Sequence, residues 1–315
     1  MKISVLIPTF CRVADLDRCL QAVISQTVKP HEIIVIIREE DIETLQYIRN
    51  LNPSSIHLKI VEMNIPGVVQ AMNKGLSVAT GEVVAITDDD SEPFPDWLER
   101  IDNVFASNKK AGGAGGRDWI HQDGNILDGE AASVGSIQWF GRRVGNHHLG
   151  IGAAREVDFL KGVNCAYRTE PLKKIGFDNR LLGKGAQVHW ELSVGLTMKR
   201  MGWKLIYDPL IGVGHYPSQR FDEDKRNEFN PIALRNAIHN ETLVILDHLP
   251  SIRKLFFLIW ALLIGSTSSP GLLHLLRGVL MRKGKVISAY CATLEGRYMG
   301  IIGWKRNKRM GGVEQ

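Results

Sequence analysis

Cysteine is scarce in this chain of 315 residues, and its four cysteines form no paired motif. They are Cys11, Cys19, Cys165 and Cys291, at spacings that make neither a CxxC pair nor a metal-ligand cluster. A disulfide framework is therefore not expected, and a reducing compartment such as the cytoplasm fits the composition. The opening residues, KISVLIPTF, are too short and too strand-like for a signal peptide, so we expect none.

The chain also lacks a long hydrophobic run and a strong net charge. The apolar run at residues 255–265 has eleven residues, whereas a membrane-spanning helix needs roughly 20. The formal charge of +5 is too small to indicate nucleic-acid binding, so we expect no nucleic-acid partner. With 44% hydrophobic and 23% charged residues, the chain has the composition of a globular protein and not of a disordered one.

Basic residues are concentrated near the end of the chain, with few acidic residues between them. They are Arg277, Arg282, Lys283, Lys285, Arg297, Lys305, Arg306, Lys308 and Arg309. Two short apolar segments, residues 255–265 and 271–280, lie beside them. This combination predicts peripheral contact with an anionic membrane surface. The alternatives are a solvated basic face and helices that pack as ordinary core.

The first third of the chain alternates between two kinds of segment. Short apolar β-branched runs predict strands at residues 3–7, 32–37, 57–63 and 82–87, and helical spacing predicts helices at 14–26, 42–48, 66–78 and 95–105. Such alternation favours an α/β fold with a mostly parallel sheet between helices. The glycine-rich residues 111–152 are expected to form short strands and a long loop. We therefore predict an α/β domain over residues 1–226 and a helical extension over 227–315.

Three adjacent aspartates, Asp88, Asp89 and Asp90, follow the fourth predicted strand. Like charges at the end of a buried strand repel one another, and a divalent cation would remove that repulsion. Carboxylate oxygens suit Mg²⁺ or Mn²⁺. In an extended segment Asp88 and Asp90 point to one side and Asp89 to the other. An acidic turn or the cap of the next helix is the alternative interpretation.

Five blocks give the sequence a family resemblance. They are VLIPTFCR, EIIVII, GVVQAMNKGLSVATGEVVAITDDDSEPFPDWL, FLKGVNCAYR and HWELSVGLTMKRMGWKLIYDP. In order and spacing they resemble glycosyltransferase family 2, whose fold is the Rossmann-like GT-A fold. The resemblance implies an inverting transfer from a nucleoside-diphosphate sugar, with a UDP-sugar favoured, to a saccharide or lipid-linked acceptor. It places Asp88 and Asp89 on the nucleotide side and Asp90 on a Mn²⁺ or Mg²⁺ ion.

The resemblance also implies a catalytic base and a second metal ligand. The family places its base about eleven residues before the glycine that ends a helix, and Glu191 stands eleven residues before Gly202. The usual acidic pair is here Trp190 and Glu191, and a glutamate near a helix start could simply favour the helix dipole. His215 occupies the place where many members offer a histidine to the metal or diphosphate; a loop histidine is the alternative. Asp158 and Asp178 are the next carboxylates to consider as base.

Further substrate-binding residues follow from the matched blocks. The family's nucleotide entry loop corresponds to Pro8, Thr9 and Arg12. In the family an acidic pair at the end of the second strand usually contacts the nucleobase of the donor. Here Ile37 and Arg38 occupy those positions, so Arg38 or Asp41 is expected to recognise the nucleobase. The remaining candidates are Asn73 and Lys74 on the donor side, and Asn164 and Arg168 near the sugar and acceptor. Each of these polar residues could instead be a cap or a surface group.

Two other functions are compatible with parts of this pattern. A sugar nucleotidyltransferase should carry a glycine- and lysine-rich signature after the first strand, which VLIPTFCRVADL lacks. A non-catalytic membrane-associated scaffold would not need the intact acidic run or Glu191. The sequence therefore favours polysaccharide or glycolipid assembly by an enzyme on the cytoplasmic, inner face of the plasma membrane.

Overall fold

A computed structural model describes residues 1–51, 57–226, 228–282 and 284–310. Asn227, at the predicted domain boundary, and Lys283 of the basic tail lie outside the described residues. The chain divides into two compact units. The first comprises Met1–Ser136, Val144–Phe177 and Val194–Ser218, and the second comprises Ile137–Arg143, Asp178–Ser193 and Gln219–Gln315.

Half of the sheet in the first unit is parallel, as the alternating pattern predicted. Its strands are β1 (Ile3–Thr9), β2 (Glu32–Arg38), β3 (Leu58–Met63) and β4 (Val83–Ile86), in the order β3-β2-β1-β4. The helices between and after them are α1 (Val13–Ile24), α2 (Ile42–Asn50), α3 (Val68–Val78) and α4 (Trp97–Ser107). The β-branched residues of β1 and β2 are buried because helices cover both sheet faces.

The other half of the sheet mixes strand directions. Its strands are β5 (Ser91–Pro93), β6 (Ala111–Gln122), β7 (Asn125–Ile126), β10 (Arg155–Val157), β11 (Cys165–Arg168) and β12 (Lys204–His215). Two further short strands, β8 (Ser136–Ile137) and β9 (Arg143–Val144), pair only with each other in a separate sheet of the described residues. β11 lies between β4 and β6 and runs antiparallel to both, whereas β12 is parallel to β6. The full order is β10-β12-β6-β11-β4-β1-β2-β3. The α/β prediction is confirmed, with antiparallel strands added at one side of the sheet.

The glycine-rich segment is the main difference from the sequence-based expectation. Residues 111–122 were expected to form short strands and loop, but they form β6, a twelve-residue strand whose first eight residues are buried. A Cβ atom at Gly115 would lie 2.4 Å from the carbonyl oxygen of Asn164, and one at Gly116 would lie 2.2 Å from that of Ile211. Glycine is therefore required here by close backbone approach and does not indicate a flexible loop.

From Pro231 onwards the described residues are mainly helical, which confirms the prediction of C-terminal helices. The remaining helices are α5 (Thr169–Ile175), α6 (Trp190–Arg200), α7 (Pro231–His248), α8 (Ser251–Leu263), α9 (Leu272–Leu280) and α10 (Val286–Met310), with a 3₁₀ turn at His147–Leu149. α10 packs closely along α7, since a Cβ atom at Gly296 would lie 2.5 Å from the Arg235 carbonyl oxygen. Within the described residues, no helix is long and apolar enough to cross a membrane.

Candidate active site

The acidic run lies between two strands that bring a distant histidine beside it. β4 ends at Ile86, the aspartates follow, and β5 then pairs antiparallel with β12, with Ser91 opposite His215. One ligand atom from each of Asp88, Asp90 and His215 lies within 4.8 Å of the other two. Asp90 and His215 are buried, and Asp88 is half-buried. Thus three residues expected near the diphosphate and metal are adjacent in the folded chain.

The chemistry of this cluster fits a divalent cation. Two carboxylates and one imidazole are ligands that Mn²⁺ accepts readily, and the carboxylate oxygens also suit Mg²⁺. His215 Nε2 lies 3.5 Å from Asp90 Oδ1. That nitrogen is buried and makes no hydrogen bond within the described part of the chain. A buried imidazole nitrogen directed at two carboxylates is the arrangement that a bound cation would complete.

Asp89 and Asp90 form a turn and not the extended segment that was expected, and Asp89 is held by residues at and just after the end of β1. The Thr9 hydroxyl donates to Asp89 Oδ2 at 2.8 Å, and Arg12 Nη1 donates to Asp89 Oδ1 at 2.8 Å. Burial raises the pKa of Asp89 to about 7, although the Arg12 charge acts against that rise. Arg12 Nη1 also lies 3.9 Å from Asp90 Oδ2. Thr9 and Arg12 are therefore adjacent to the acidic run, and they orient it.

Asp118 is part of this site and was missed from the sequence. It lies in β6, is fully buried, and places Oδ2 at 3.7 Å from His215 Nδ1. Burial alone would raise its pKa, but interactions with His215 and Lys161 lower the pKa below the ordinary value. At that distance the two groups interact electrostatically without a hydrogen bond, so Asp118 places a negative charge behind the imidazole ring. In the sequence, Asp118 is the aspartate at the end of GGAGGRD. It would have been recognised as a candidate only if that segment had been predicted to be a buried strand, because a buried carboxylate needs a partner.

The segment after His215 is also attached to the acidic run. The backbone N–H of Ser218 donates to Asp90 Oδ2 at 3.0 Å, and its hydroxyl donates to Asp15 Oδ2 at 2.5 Å. Tyr216 stacks on His121 with ring centroids 4.3 Å apart. These contacts hold the chain that leaves β12 against Asp90.

The residues predicted to recognise the nucleobase lie where the chain leaves β1 and β2. Pro8 is in β1 opposite Ile36 of β2. The Arg38 guanidinium stacks over the Phe10 ring at 3.8 Å and pairs with Glu40. Asp41 caps α2 by accepting the Thr44 N–H, and it also accepts the Cys11 N–H at 2.5 Å. The structure thus gives Asp41 a backbone-holding role in the loop that follows β1.

Four other candidates have structural partners or lie apart from the acidic run. Asn73 exchanges two 2.9 Å hydrogen bonds with the Phe177 backbone, and the next residue, Lys74, is exposed. Asn164 is fully buried. Its Oδ1 accepts a hydrogen bond from Trp97 Nε1, and its Nδ2 donates to the carbonyl oxygens of Arg117 and Ile211. Arg168 pairs with Val83, the first residue of β4, whereas the acidic run follows the last. Its guanidinium donates to the Ala111 carbonyl oxygen.

Glu191 lies in the first turn of α6 and is half-buried. The backbone just before it is unusual, because Gln187 and His189 have φ angles of 35° and 76°. Asp158 and Asp178, the alternative carboxylates, are already in ion pairs. Lys199 Nζ lies 2.6 Å from Asp158, and Arg180 Nη2 lies 2.7 Å from Asp178. The role of Glu191 as the base stays a prediction.

Two relatives from Haloferax volcanii are similar to the chain over most of its length. A glucosyl-dolichyl phosphate glucuronosyltransferase is 26% identical over 229 residues, which cover 68% of this chain and 69% of the relative. Glycosyltransferase AglE is 24% identical over 290 residues, which cover 91% of this chain and 87% of the relative.

Two solved structures share the fold. The mannosyltransferase PcManGT from Pyrobaculum calidifontis, in complex with GDP-Man and Mn²⁺, superposes with a TM-score of 0.57 and 16% identity. The match covers 98% of this chain and 88% of that one. GalNAc-T7 with UDP, GalNAc and Mn²⁺ gives a TM-score of 0.61 at 18% identity, covering 82% of this chain and 50% of that one. At these identities the similarity is evidence for the fold alone, and it confirms the predicted GT-A fold.

The family assignment rests on a match that includes β1 to β4, the acidic run and β11. The family model described as glycosyl transferase family 2 matches residues 4–176, which is more than half of the chain. The sequence blocks that carried the resemblance fall largely inside this range. The chain belongs to glycosyl transferase family 2.

Proposed function

We propose that this glycosyltransferase inverts the anomeric centre as it moves a sugar from a nucleoside diphosphate to an acceptor hydroxyl. The observation that carries the proposal is the convergence of Asp88, Asp90 and His215 at the end of β4. In a parallel α/β sheet, ligands bind beyond the carboxyl ends of the strands. A UDP-sugar is the favoured donor because the family resemblance implies it; of the two solved structures described above, one holds UDP and the other GDP-Man.

The same three side chains would hold a divalent cation, for which Mn²⁺ is favoured over Mg²⁺ because His215 offers nitrogen. A bound ion would supply positive charge to the diphosphate as it leaves. Both solved structures described above contain Mn²⁺, which supports this choice. Asp118 would hold the imidazole in the orientation that presents Nε2 to the ion.

Glu191 is proposed as the general base. Its carboxylate takes the proton of the acceptor hydroxyl while that oxygen forms a bond to the anomeric carbon. The bond between that carbon and the diphosphate oxygen breaks in the same step, and its electron pair leaves with the diphosphate. Inversion follows because attack and departure occur on opposite faces of the sugar.

The test combines a donor panel with one substitution. UDP or GDP release is measured with each sugar nucleotide, with and without Mn²⁺, and donor affinity is measured by calorimetry. Glu191→Gln should reduce kcat by about 10²–10⁴-fold with donor affinity nearly unchanged. Turnover within about threefold of the parent would move the base to another residue. Donor binding without any transfer would favour the non-catalytic scaffold, and release of pyrophosphate would favour a nucleotidyltransferase.

A lipid-linked acceptor at the cytoplasmic, inner face of the plasma membrane is part of the same proposal. It is supported by the relative whose name specifies glucosyl-dolichyl phosphate, a lipid-linked sugar. The surface that would contact the membrane is formed by α8 and α9 in the second unit. Each of these helices has one exposed apolar stripe, which we call the apolar stripes. Their residues are Ile252, Leu255, Phe256, Ile259, Leu262 and Leu263 on α8, and Leu272, Leu273, Leu276, Val279 and Leu280 on α9.

The spacing and the charge both favour a lipid surface over another protein as the partner. The stripes recur at three- and four-residue intervals, while Phe257 and Ala261 on the opposite side of α8 are buried. α8 has thirteen residues and α9 has nine, so each suits a position in the plane of the interface. Residues 248–294 contain no aspartate or glutamate but six lysines and arginines. That charge complements anionic phospholipid headgroups.

Vesicle binding tests this part of the proposal independently of transfer. The full chain should co-sediment with vesicles that contain phosphatidylserine and much less with phosphatidylcholine alone. Ile259→Glu with Leu276→Glu should abolish binding. Leu210→Glu, at a residue 62% exposed in the first unit, is the matched control and should not. Failure of the parent to bind, together with a dimer that the double variant dissociates, would assign the stripes to a subunit interface.

A further inference from the structure

The segment before Glu191 has a backbone that its own sequence does not favour. Gln187 and His189 both lie in the left-handed region, with φ angles of 35° and 76°. Non-glycine residues persist there only when the surrounding structure holds them. Glu191 comes two residues after His189, so whatever fixes this segment also fixes the start of α6.

One buried side chain on α7 holds both ends of this segment. Asn240 is fully buried, and its Oδ1 accepts the Leu182 N–H at 2.7 Å. Its Nδ2 donates to the carbonyl oxygens of Leu182 and Val188, each at 3.0 Å. A single amide therefore joins the chain at residue 182 to the chain at residue 188, immediately before His189. Gln187 adds a second link by donating to the Leu181 carbonyl oxygen at 2.8 Å.

Helix α7 is bound to α10 at the residues that follow Asn240. The neighbouring Glu241 forms an ion pair with Arg297 of α10 at 2.8 Å, and Arg297 also donates to the Thr242 hydroxyl at 2.8 Å. Arg297 is 1% exposed, so this pair is shielded from water. Asn240 therefore contacts the segment from a helix that a buried ion pair holds against α10.

We propose that Asn240 is a positioning residue for Glu191, acting through the backbone of residues 182–188. The proposal rests on the proposed role of Glu191 as general base. The C-terminal extension would then contribute to catalysis by fixing the position of Glu191, which lies before it in the chain. An amide is suited to this task because it donates and accepts at once, which neither a carboxylate nor an aliphatic side chain does.

The test uses two substitutions of Asn240 and a matched control on the same helix. Asn240→Asp keeps the acceptor and removes the two donated bonds, and Asn240→Ser provides a smaller change if the first variant folds poorly. Both should reduce kcat by about tenfold to hundredfold with the donor KM unchanged, because small misplacements of a catalytic group have effects of that size. Asn230→Ala removes the N-cap of α7 and should lower Tm without this loss of kcat.

A double variant and hydrogen exchange separate positioning from general stability. In the Glu191→Gln background, the Asn240 substitutions should cause no further loss of kcat, since they act through a carboxylate already removed. Amide exchange should accelerate in residues 181–189. The proposal is overturned if Glu191→Gln collapses turnover while both Asn240 variants stay within about threefold of the parent. It is also overturned if Asn230→Ala loses as much kcat. A fully active Glu191→Gln would instead refute the base assignment itself.

Discussion

Replacing Asp118 by asparagine should weaken metal affinity while leaving the fold and the metal-saturated rate nearly intact. Asp118 is buried in β6, and its Oδ2 lies 3.7 Å from His215 Nδ1. It lies behind the imidazole that faces Asp90, on the side away from the proposed ion. Asparagine keeps the size of the side chain and removes its negative charge.

The magnitude follows from the geometry of the pair. Two unit charges about 4 Å apart interact by about 4 kcal/mol at an effective dielectric constant of 20. A metal-bound imidazole carries only part of the ion's charge, so only part of that energy is lost. Outer residues of this kind typically change metal affinity by about 10–100-fold. That range equals about 1.4–2.8 kcal/mol.

The assay is a Mn²⁺ titration of donor turnover, supported by calorimetry of Mn²⁺ binding with UDP present. The half-saturating Mn²⁺ concentration should rise in the Asp118→Asn variant, and excess Mn²⁺ should restore most of kcat. Asp208→Asn is the control, because it removes the same charge from β12 at a carboxylate that accepts the Leu210 N–H and is not near His215 among the described contacts. An Mn²⁺ affinity within about twofold of the parent would refute the role of Asp118, since it lies well below the expected range.

Three further predictions address the ligand, the acid limit of stability and the glycine strand. Asp90→Asn should lose nearly all transfer and keep its circular dichroism spectrum, and full activity in EDTA would contradict the metal assignment. Burial raises the pKa of Glu32, but hydrogen bonds, led by that from Lys59, bring it down to about 2. Because that pKa lies below the unfolded value of 4.5, the stabilisation holds above pH 4.5 and is lost as pH falls towards 2. Glu32→Gln should flatten the dependence of Tm on pH in this window, and an unchanged slope would contradict it. Gly115→Ala should lower the free energy of unfolding by about 1–3 kcal/mol in urea titration, since its Cβ would lie 2.4 Å from the Asn164 carbonyl oxygen; an unchanged midpoint would show that the strand can shift.

Local sequence determined the first half of the fold. Strands β1, β2 and β4 are continuous apolar runs, and α1 has its buried residues at helical spacing. Both patterns depend only on neighbours in the chain, so they can be recognised in the sequence without knowledge of tertiary contacts. The acidic run is similarly local, because its charge repulsion is evident from three adjacent residues. The family resemblance added the GT-A fold, which the comparisons confirmed.

Tertiary structure decided how the site is assembled. Asp118 and Asp90 are brought to His215 only because β12 pairs with β6 on one side and with β5 on the other. The roles proposed for Glu191 and the other substrate-binding residues remain predictions. Asn164 shows how a polar residue in a matched block can be fully occupied by core hydrogen bonds.

The sequence by itself determined the α/β order, the helical extension and the place of the acidic run, because each depends on periodic burial or on adjacent charges. Only the tertiary structure identified GGAGGRD as a strand, since glycine gives the same local signal whether it permits a loop or a close backbone approach. Only the tertiary structure also joined Asp118 to His215 and Asn240 to residues 182–188. Those partners are distant in the chain, and their contact depends on strand pairing and helix packing that cannot be predicted from a local sequence pattern.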